Sequence, residues 1–174
     1  MLDKLRSRLV HLGPSLLRTP VKLTPFALKR QVLEQVLGWQ FRQAMEEGEL
    51  EFLEGRWLSI EVRDLGLKWL TSVQDNKLVV CEDAPADVSF SATANDLLLI
   101  AARKQDPDTL FFQRRLMIEG DTELGLYVKN LMDAIELDAM PKPLRILLLQ
   151  LADFVEAGMK YKPVPERNSV GEPC

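Results

Sequence analysis

Between Glu51 and Thr93 apolar side chains recur at every second position. Leu58, Ile60 and Val62 alternate with Ser59, Glu61 and Arg63, and Val88, Phe90 and Ala92 alternate with Ser89, Ser91 and Thr93. Successive side chains of an extended chain point to opposite faces, so each run predicts a strand with one buried face. Trp69, Thr71 and Val73 predict a further strand. Asp75-Asn76 behind it is a two-residue pair that tolerates the positive φ of a tight hairpin, and Leu78 to Cys81 forms the return strand. Four consecutive strands of this kind predict an antiparallel meander.

On either side the spacing lengthens to that of helices. Leu2, Leu5, Leu9, Leu12 and Leu16 recur three and four apart, with the basic residues at other positions. This predicts a short amphipathic helix over 1–20, interrupted by Gly13-Pro14 and ended by Thr19-Pro20. Thr24 as N-cap and Pro25 at the first helical position predict a longer helix to about Glu47, stopped by Gly48. Its apolar residues occupy two sides: Phe26, Leu33, Val36, Leu37, Phe41 and Ala44 on one, Leu28, Val32 and Trp39 roughly opposite. Such a helix sits between layers or between chains.

After the meander, Thr93 and Asp96 form a capping-box pattern ahead of a helix over Leu97 to Ala102. Asp106-Pro107 opens a helical turn ending in Leu110-Phe111-Phe112, Arg114 to Glu119 predicts a fifth strand, and Gly120-Asp121 a turn and N-cap. Leu124, Tyr127, Val128, Leu131, Met132 and Ile135 stripe the helix that follows to Leu137. A last helix beyond Pro141 and Pro143 carries Leu144, Leu147, Leu148, Leu151, Phe154 and Val155 on one face. Leu126, Leu137, Ile146 and Leu149 fall off these stripes and need a second apolar partner: a lid helix, a cargo or another subunit. The segment Tyr161 to Cys174, with three prolines and no apolar period, predicts a disordered tail.

Composition narrows the class. A chain of 174 residues, 47% apolar and 28% charged, can bury a core of its own. No apolar run approaches the roughly 20 residues that span a bilayer. The N-terminus lacks the continuous apolar stretch of a secretory signal. Two cysteines, Cys81 and Cys174, make neither a disulfide framework nor a metal spacing, which predicts a reduced, cytoplasmic protein. Charge is uneven. Residues 1–30 hold seven basic side chains against Asp3, a net +6, leaving −10 on the other 144. Lys4, Arg6, Arg8, Arg18 and Lys22 on that arm fit an anionic membrane surface or an acidic partner, whereas the acidic body argues against nucleic acid. A helix that docks on the body with its cations simply solvated is the competing reading.

Candidate chemistry is sparse. His11, the single histidine, lies in the basic arm, and Cys81 reads as a small buried hydrophobe. No phosphate loop, dinucleotide fingerprint, nucleophile elbow or ligand-spaced His/Cys/acid cluster occurs, so neither catalytic residues nor a metal or other cofactor is expected. Greasy side chains are the stronger signal. Phe90, Leu97, Leu98, Ile100, Phe111, Phe112, Leu116, Ile118, Leu124 and Val128 are candidates for the lining of an apolar cavity, with plain core packing as the alternative for each.

From Ala86-Asp87-Val88 to Asp133-Ala134-Ile135 the order of features resembles the sterol carrier protein type two family. The marks are the alternating strand Val88–Thr93, the helix Asn95–Lys104, Asp106-Pro107 leading to Leu110-Phe111-Phe112, and Arg115-Leu116-Met117-Ile118-Glu119-Gly120-Asp121 entering an amphipathic helix. The resemblance implies an α+β fold: about five strands, largely antiparallel, covered by helices around a hydrophobic tunnel that binds lipid without catalysis. It divides the chain into a basic helical extension (1–44), the lipid-binding domain (45–138), a C-terminal helix (139–160) and the tail (161–174). The extension and extra helix resemble the bacterial branch that assists oxygen-independent ubiquinone biosynthesis. That branch implies isoprenoid quinone or its precursors as cargo, other ubiquinone-biosynthesis proteins as partners, and a place at the inner face of the membrane. The alternatives are a scaffold that recruits enzymes and a general fatty-acyl or phospholipid carrier. Family members that end in a peroxisomal Ser-Lys-Leu signal differ from this chain, which ends Gly171-Glu172-Pro173-Cys174.

Overall fold

A computed structural model describes residues 2–133 and 137–160. The fold is mixed α+β, with a five-stranded sheet in the order β3-β2-β1-β4-β5. The strands are β1 (Leu58–Val62), β2 (Leu67–Gln74), β3 (Lys77–Cys81), β4 (Val88–Ala92) and β5 (Met117–Gly120). The expected hairpin joins β2 to β3, with Asp75 and Asn76 at φ 49° and 57°. The expected meander is corrected at its fourth strand, since β4 lies parallel to β1, Ile60 opposite Phe90. The chain crosses from the β3 edge over the sheet and returns beside β1, leaving β5 to close the far side antiparallel. That crossover puts Leu58, Ile60 and Val62 level with Val88, Phe90 and Ala92, so the apolar halves of both alternating runs share one face.

Helices α2 (Phe26–Gln40), α3 (Arg42–Glu46), α4 (Ala94–Ala101), α5 (Pro107–Phe112) and α6 (Thr122–Asp133) contribute to the packing on that face. The starts of α4, α5 and α6 follow the local signals. Thr93 Oγ1 accepts from Asp96 N at 3.3 Å, Asp106 Oδ1 from Asp108 N at 3.3 Å, and Asp121 Oδ1 from Leu124 N at 2.9 Å. Gly120 is required where it stands: φ is 106°, and a Cβ there would come within 2.4 Å of the Asp87 carbonyl. The main core joins Leu50, Leu53, Phe90, Ile100, Leu110, Leu116, Leu124 and Val128. A second cluster, Val10, Leu99, Ala102, Ala152 and Val155, binds α1 (Leu2–Leu23) and α7 (Lys142–Lys160) to the back of α4.

Several helical expectations need correction. The first helix is unbroken from Leu2 to Leu23, with Pro14 and Pro20 inside it. A proline at 14 cannot donate to the Val10 carbonyl, and that carbonyl instead accepts from Asn95 Nδ2 on α4 at 2.9 Å. Thr24 does not cap α2. Its N–H and hydroxyl both donate to the Pro20 carbonyl, at 3.1 and 2.8 Å, finishing α1, and α2 begins after Pro25 with no side-chain cap. The helix expected to run on to Glu47 is interrupted at Phe41 and resumes as α3. On α7 the packed residues are Leu148, Leu149, Ala152, Phe154, Val155 and Met159, whereas Leu144, Leu147 and Leu151 face outward. Ile135 of the α6 stripe and the segment from Tyr161 to Cys174 lie outside the described residues. Among the described residues no helix is long and apolar enough to cross a membrane.

Candidate lipid-binding site

A partly open apolar cavity of about 200 Å³ lies between the sheet and its helices. Its floor is the inward face of the three strands β2, β1 and β4, plus one residue of β3: Trp69 and Thr71, Leu58 and Ile60, Phe90, and Leu78. Leu97 of α4 and Val128, Leu131 and Met132 of α6 form the walls. Leu37 of α2, Phe41 at the break between α2 and α3, and Leu50 and Leu53 complete the enclosure. No residue of α2 is fully buried, so this wall is held on one side only. Leu33 and Leu37 pack toward Trp69 and Val80, and Val80 N donates to Glu34 Oε1 at 3.1 Å. Leu28, Val32 and Val36 of the same helix face outward.

Phe90, Leu97 and Val128, among the ten lining candidates, stand in the cavity wall. Ile100, Leu116 and Leu124 are buried in the surrounding core, and Ile118 packs against it. Leu98 lies behind α4, in the cluster under α1 and α7. Phe111 and Phe112 stack edge to face at 5.9 Å and are not among the lining residues, Phe112 with 81% of its surface exposed. The reading of the sequence missed Leu58, Ile60, Trp69 and Thr71. Their signal was the alternation itself, which places them on the same face as Phe90 once β1 and β4 are aligned side by side.

Of the arm's cations, Lys4, Arg8, Arg18 and Lys22 are exposed along α1. Arg6 is folded down, its guanidinium 4.8 Å from the centre of the Phe154 ring. At 3.6 residues per turn the helix has three stripes. Val10 and Pro14 are buried and face the body, Leu5, Leu9, Leu12 and Leu16 form an exposed stripe (49–70% exposed), and the exposed cations lie beside it. The leucine face read from the sequence is therefore not the face that docks. Gly158 permits the contact on the docking side, where a Cβ would lie 2.5 Å from Val10 Cγ2.

Among the described residues, no Asp, Glu, His, Cys, Lys, Arg or Tyr lines the cavity. His11 is exposed on α1. Cys81 is half-buried on β3, where desolvation pushes its thiol up, away from the thiolate a nucleophile needs. Asp106, Asp108 and Asp133 cluster outside the cavity. Desolvation, then the neighbouring Asp106 and Asp108 carboxylates, hold Asp133 above the usual carboxylate range, and Lys129 Nζ lies 2.6 Å from Asp108.

Comparison with known proteins matches residues 34–133 to the family described as the SCP-2 sterol transfer family. Along all 174 residues of both chains, the sequence is 80% identical to the ubiquinone biosynthesis accessory factor UbiT of Escherichia coli K12. It is 29% identical over 98 residues to sterol carrier protein 2 of Gallus gallus, a stretch covering 52% of this chain and 18% of that protein. Among solved structures, one titled UbiJ-SCP2 ubiquinone synthesis protein superposes with a TM-score of 0.53 at 22% identity. It covers 64% of this chain and all of its own, a likeness of fold.

Proposed function

The chain belongs to the SCP-2 sterol transfer family, and from that premise we propose that it is a non-catalytic lipid-handling factor of ubiquinone biosynthesis, including the route that runs without oxygen. Its cargo is an isoprenoid quinone or a hydrophobic precursor, held by its apolar part between sheet and helices and offered to other proteins of the pathway. The observation that carries this reading is an apolar cavity walled almost wholly by hydrocarbon and aromatic carbon, in a chain 80% identical to a relative named for that pathway. Hydrocarbon leaving water gains about 0.8 kcal/mol per CH₂. Leaving a bilayer it gains almost nothing, because both sites are apolar, so modest contacts suffice to load a cargo and release it again. At about 200 Å³ the cavity has room for roughly seven water-sized groups, enough for the end of a lipid with α2 in this position.

Exchange with a membrane needs a reversible hold on its surface. The exposed leucine stripe of α1, with Lys4, Arg8, Arg18 and Lys22 beside it, supplies apolar insertion and about 1 kcal/mol per cation at an anionic leaflet. The outward stripe of Leu28, Val32 and Val36 on α2 favours a second reading, a scaffold that recruits partner enzymes. Mass spectrometry of lipids extracted from protein purified without detergent tests the two. Reproducible prenylated cargo supports carriage. Consistently empty protein with co-purifying pathway enzymes supports the scaffold and rejects the carrier.

A further inference from the structure

Phe111 and Phe112 neither line the cavity nor join a core cluster. They end α5, a helix of six residues whose other apolar members, Pro107 and Leu110, are buried. Phe112 keeps 81% of its surface exposed and Phe111 42%, and Met117, at the start of β5, keeps 42%. Aromatic rings held in water at one tip forgo the free energy of burial, and an exposed apolar cluster of this kind marks a surface that meets a partner.

Cations gather at the same end of the sheet. β1 and β4 run parallel and finish at Val62 and Ala92, and β5 begins beside them, Met117 opposite Ser91. The turn after β1 places Arg63 there, and its guanidinium donates to Met117 Sδ at 3.2 Å and to the Arg115 carbonyl at 3.0 Å. Arg114 is exposed, two residues beyond Phe112. At Gly66, in the turn that follows β1, a Cβ would meet Lys22 Cε at 2.9 Å and Arg18 Nε at 3.3 Å, so the last turns of α1 reach this end too. The neighbouring acids are engaged: Asp96 pairs with Arg115, and Asp64 Oδ1 accepts from Ala94 N at 2.9 Å. Among the described residues, Arg18, Lys22, Arg63 and Arg114 stand in no ion pair, and they outnumber the one acid, Asp64, that holds no cation.

This order of chemistry matches a bilayer. A membrane presents phosphate charge at its surface and hydrocarbon beneath. A ring that projects from the fold, with long cationic side chains around its base, meets both layers at once. We propose that the Phe111–Phe112 tip is a second membrane contact, separate from the leucine stripe of α1: Phe112 enters the interface of an anionic leaflet while Arg18, Lys22, Arg63 and Arg114 meet lipid phosphates. Its role in cargo exchange rests on the lipid-handling reading, to which it adds the end of the sheet that faces the membrane.

The test uses the full chain and vesicles of phosphatidylglycerol and phosphatidylethanolamine. Phe112→Ser, at a side chain mostly in solvent, should keep the melting temperature and weaken partitioning onto the vesicles roughly 5- to 20-fold. Phe112→Trp should retain partitioning, and its emission beyond that of the unaltered protein should be quenched by lipids brominated along the acyl chain. Added salt should weaken the binding, and vesicles of phosphatidylcholine should bind less. Unchanged partitioning for Phe112→Ser, equal binding to phosphatidylcholine, or no quenching at position 112 overturns the contact. So does a Phe112→Ser variant whose one effect is to turn a dimer into a monomer, which makes the tip an interface between copies. Prenylated lipid extracted from a protein whose position 112 is not quenched removes the tip and leaves the lipid-handling reading standing. Quenching in a protein that never carries lipid keeps the membrane contact and removes that reading.

Discussion

Filling the cavity should stabilise the empty protein and expel its cargo. Val128 projects from α6 into the wall with 4% of its surface exposed, and replacing it by Phe adds carbon where there is space. An empty volume of about 200 Å³ costs up to about 5 kcal/mol at roughly 24 cal/mol per Å³, a large share of the 5–15 kcal/mol that holds a domain together. Val128→Phe fills roughly 50 Å³ of it, which on the same scale recovers about 1 kcal/mol. Urea unfolding of delipidated protein should show a higher midpoint at unchanged slope, and lipid extracted from the undelipidated variant should fall well below the normal load. Leu131→Phe, on the same wall, guards against a local clash at position 128. The reasoning fails if both variants lose 1–3 kcal/mol, the signature of overpacking a full core, and carry as much lipid as before.

Three further outcomes follow from the geometry. Asn95→Ala removes the donor to the Val10 carbonyl and should cost about 1–3 kcal/mol by urea unfolding; in a Pro14→Ala background, where the helix supplies its own N–H, the cost should shrink to a fraction of that. Leu9→Glu/Leu12→Glu/Leu16→Glu should leave the fold intact, since these side chains touch solvent, and abolish flotation with anionic vesicles; flotation unchanged would remove α1 from membrane contact. Asp121 caps α6 by accepting from Leu124 N, which with the Arg56 charge holds its carboxyl below the usual range. A depressed folded-state pKa adds stability at neutral pH that is lost as the pH falls through the acid range below about 4, so Asp121→Asn should lower the melting temperature at pH 7 and make little difference at pH 2.5.

What could be read from the sequence divides by distance along the chain. Caps at Thr93, Asp106 and Asp121 and the hairpin at Asp75-Asn76 rest on contacts within a few residues, and these stand where their spacing put them. Pro14 read as a helix break because its effect was judged locally; the compensating donor to the Val10 carbonyl, Asn95, lies 85 residues beyond Val10. The direction of β4 was hidden for a similar reason. Alternation marks which side chains share a face, but not which neighbour the strand will choose, and the choice of β1 over β3 is made by the crossover after Cys81. The same step decided the site. Leu58, Ile60, Trp69 and Thr71 were legible as one buried face, but only the side-by-side placement of β1 and β4, roofed by α2, leaves a gap among them. A solid core and a cargo chamber use identical residue types, and so do the docked and exposed faces of α1. The difference between them lies in which apolar surfaces meet.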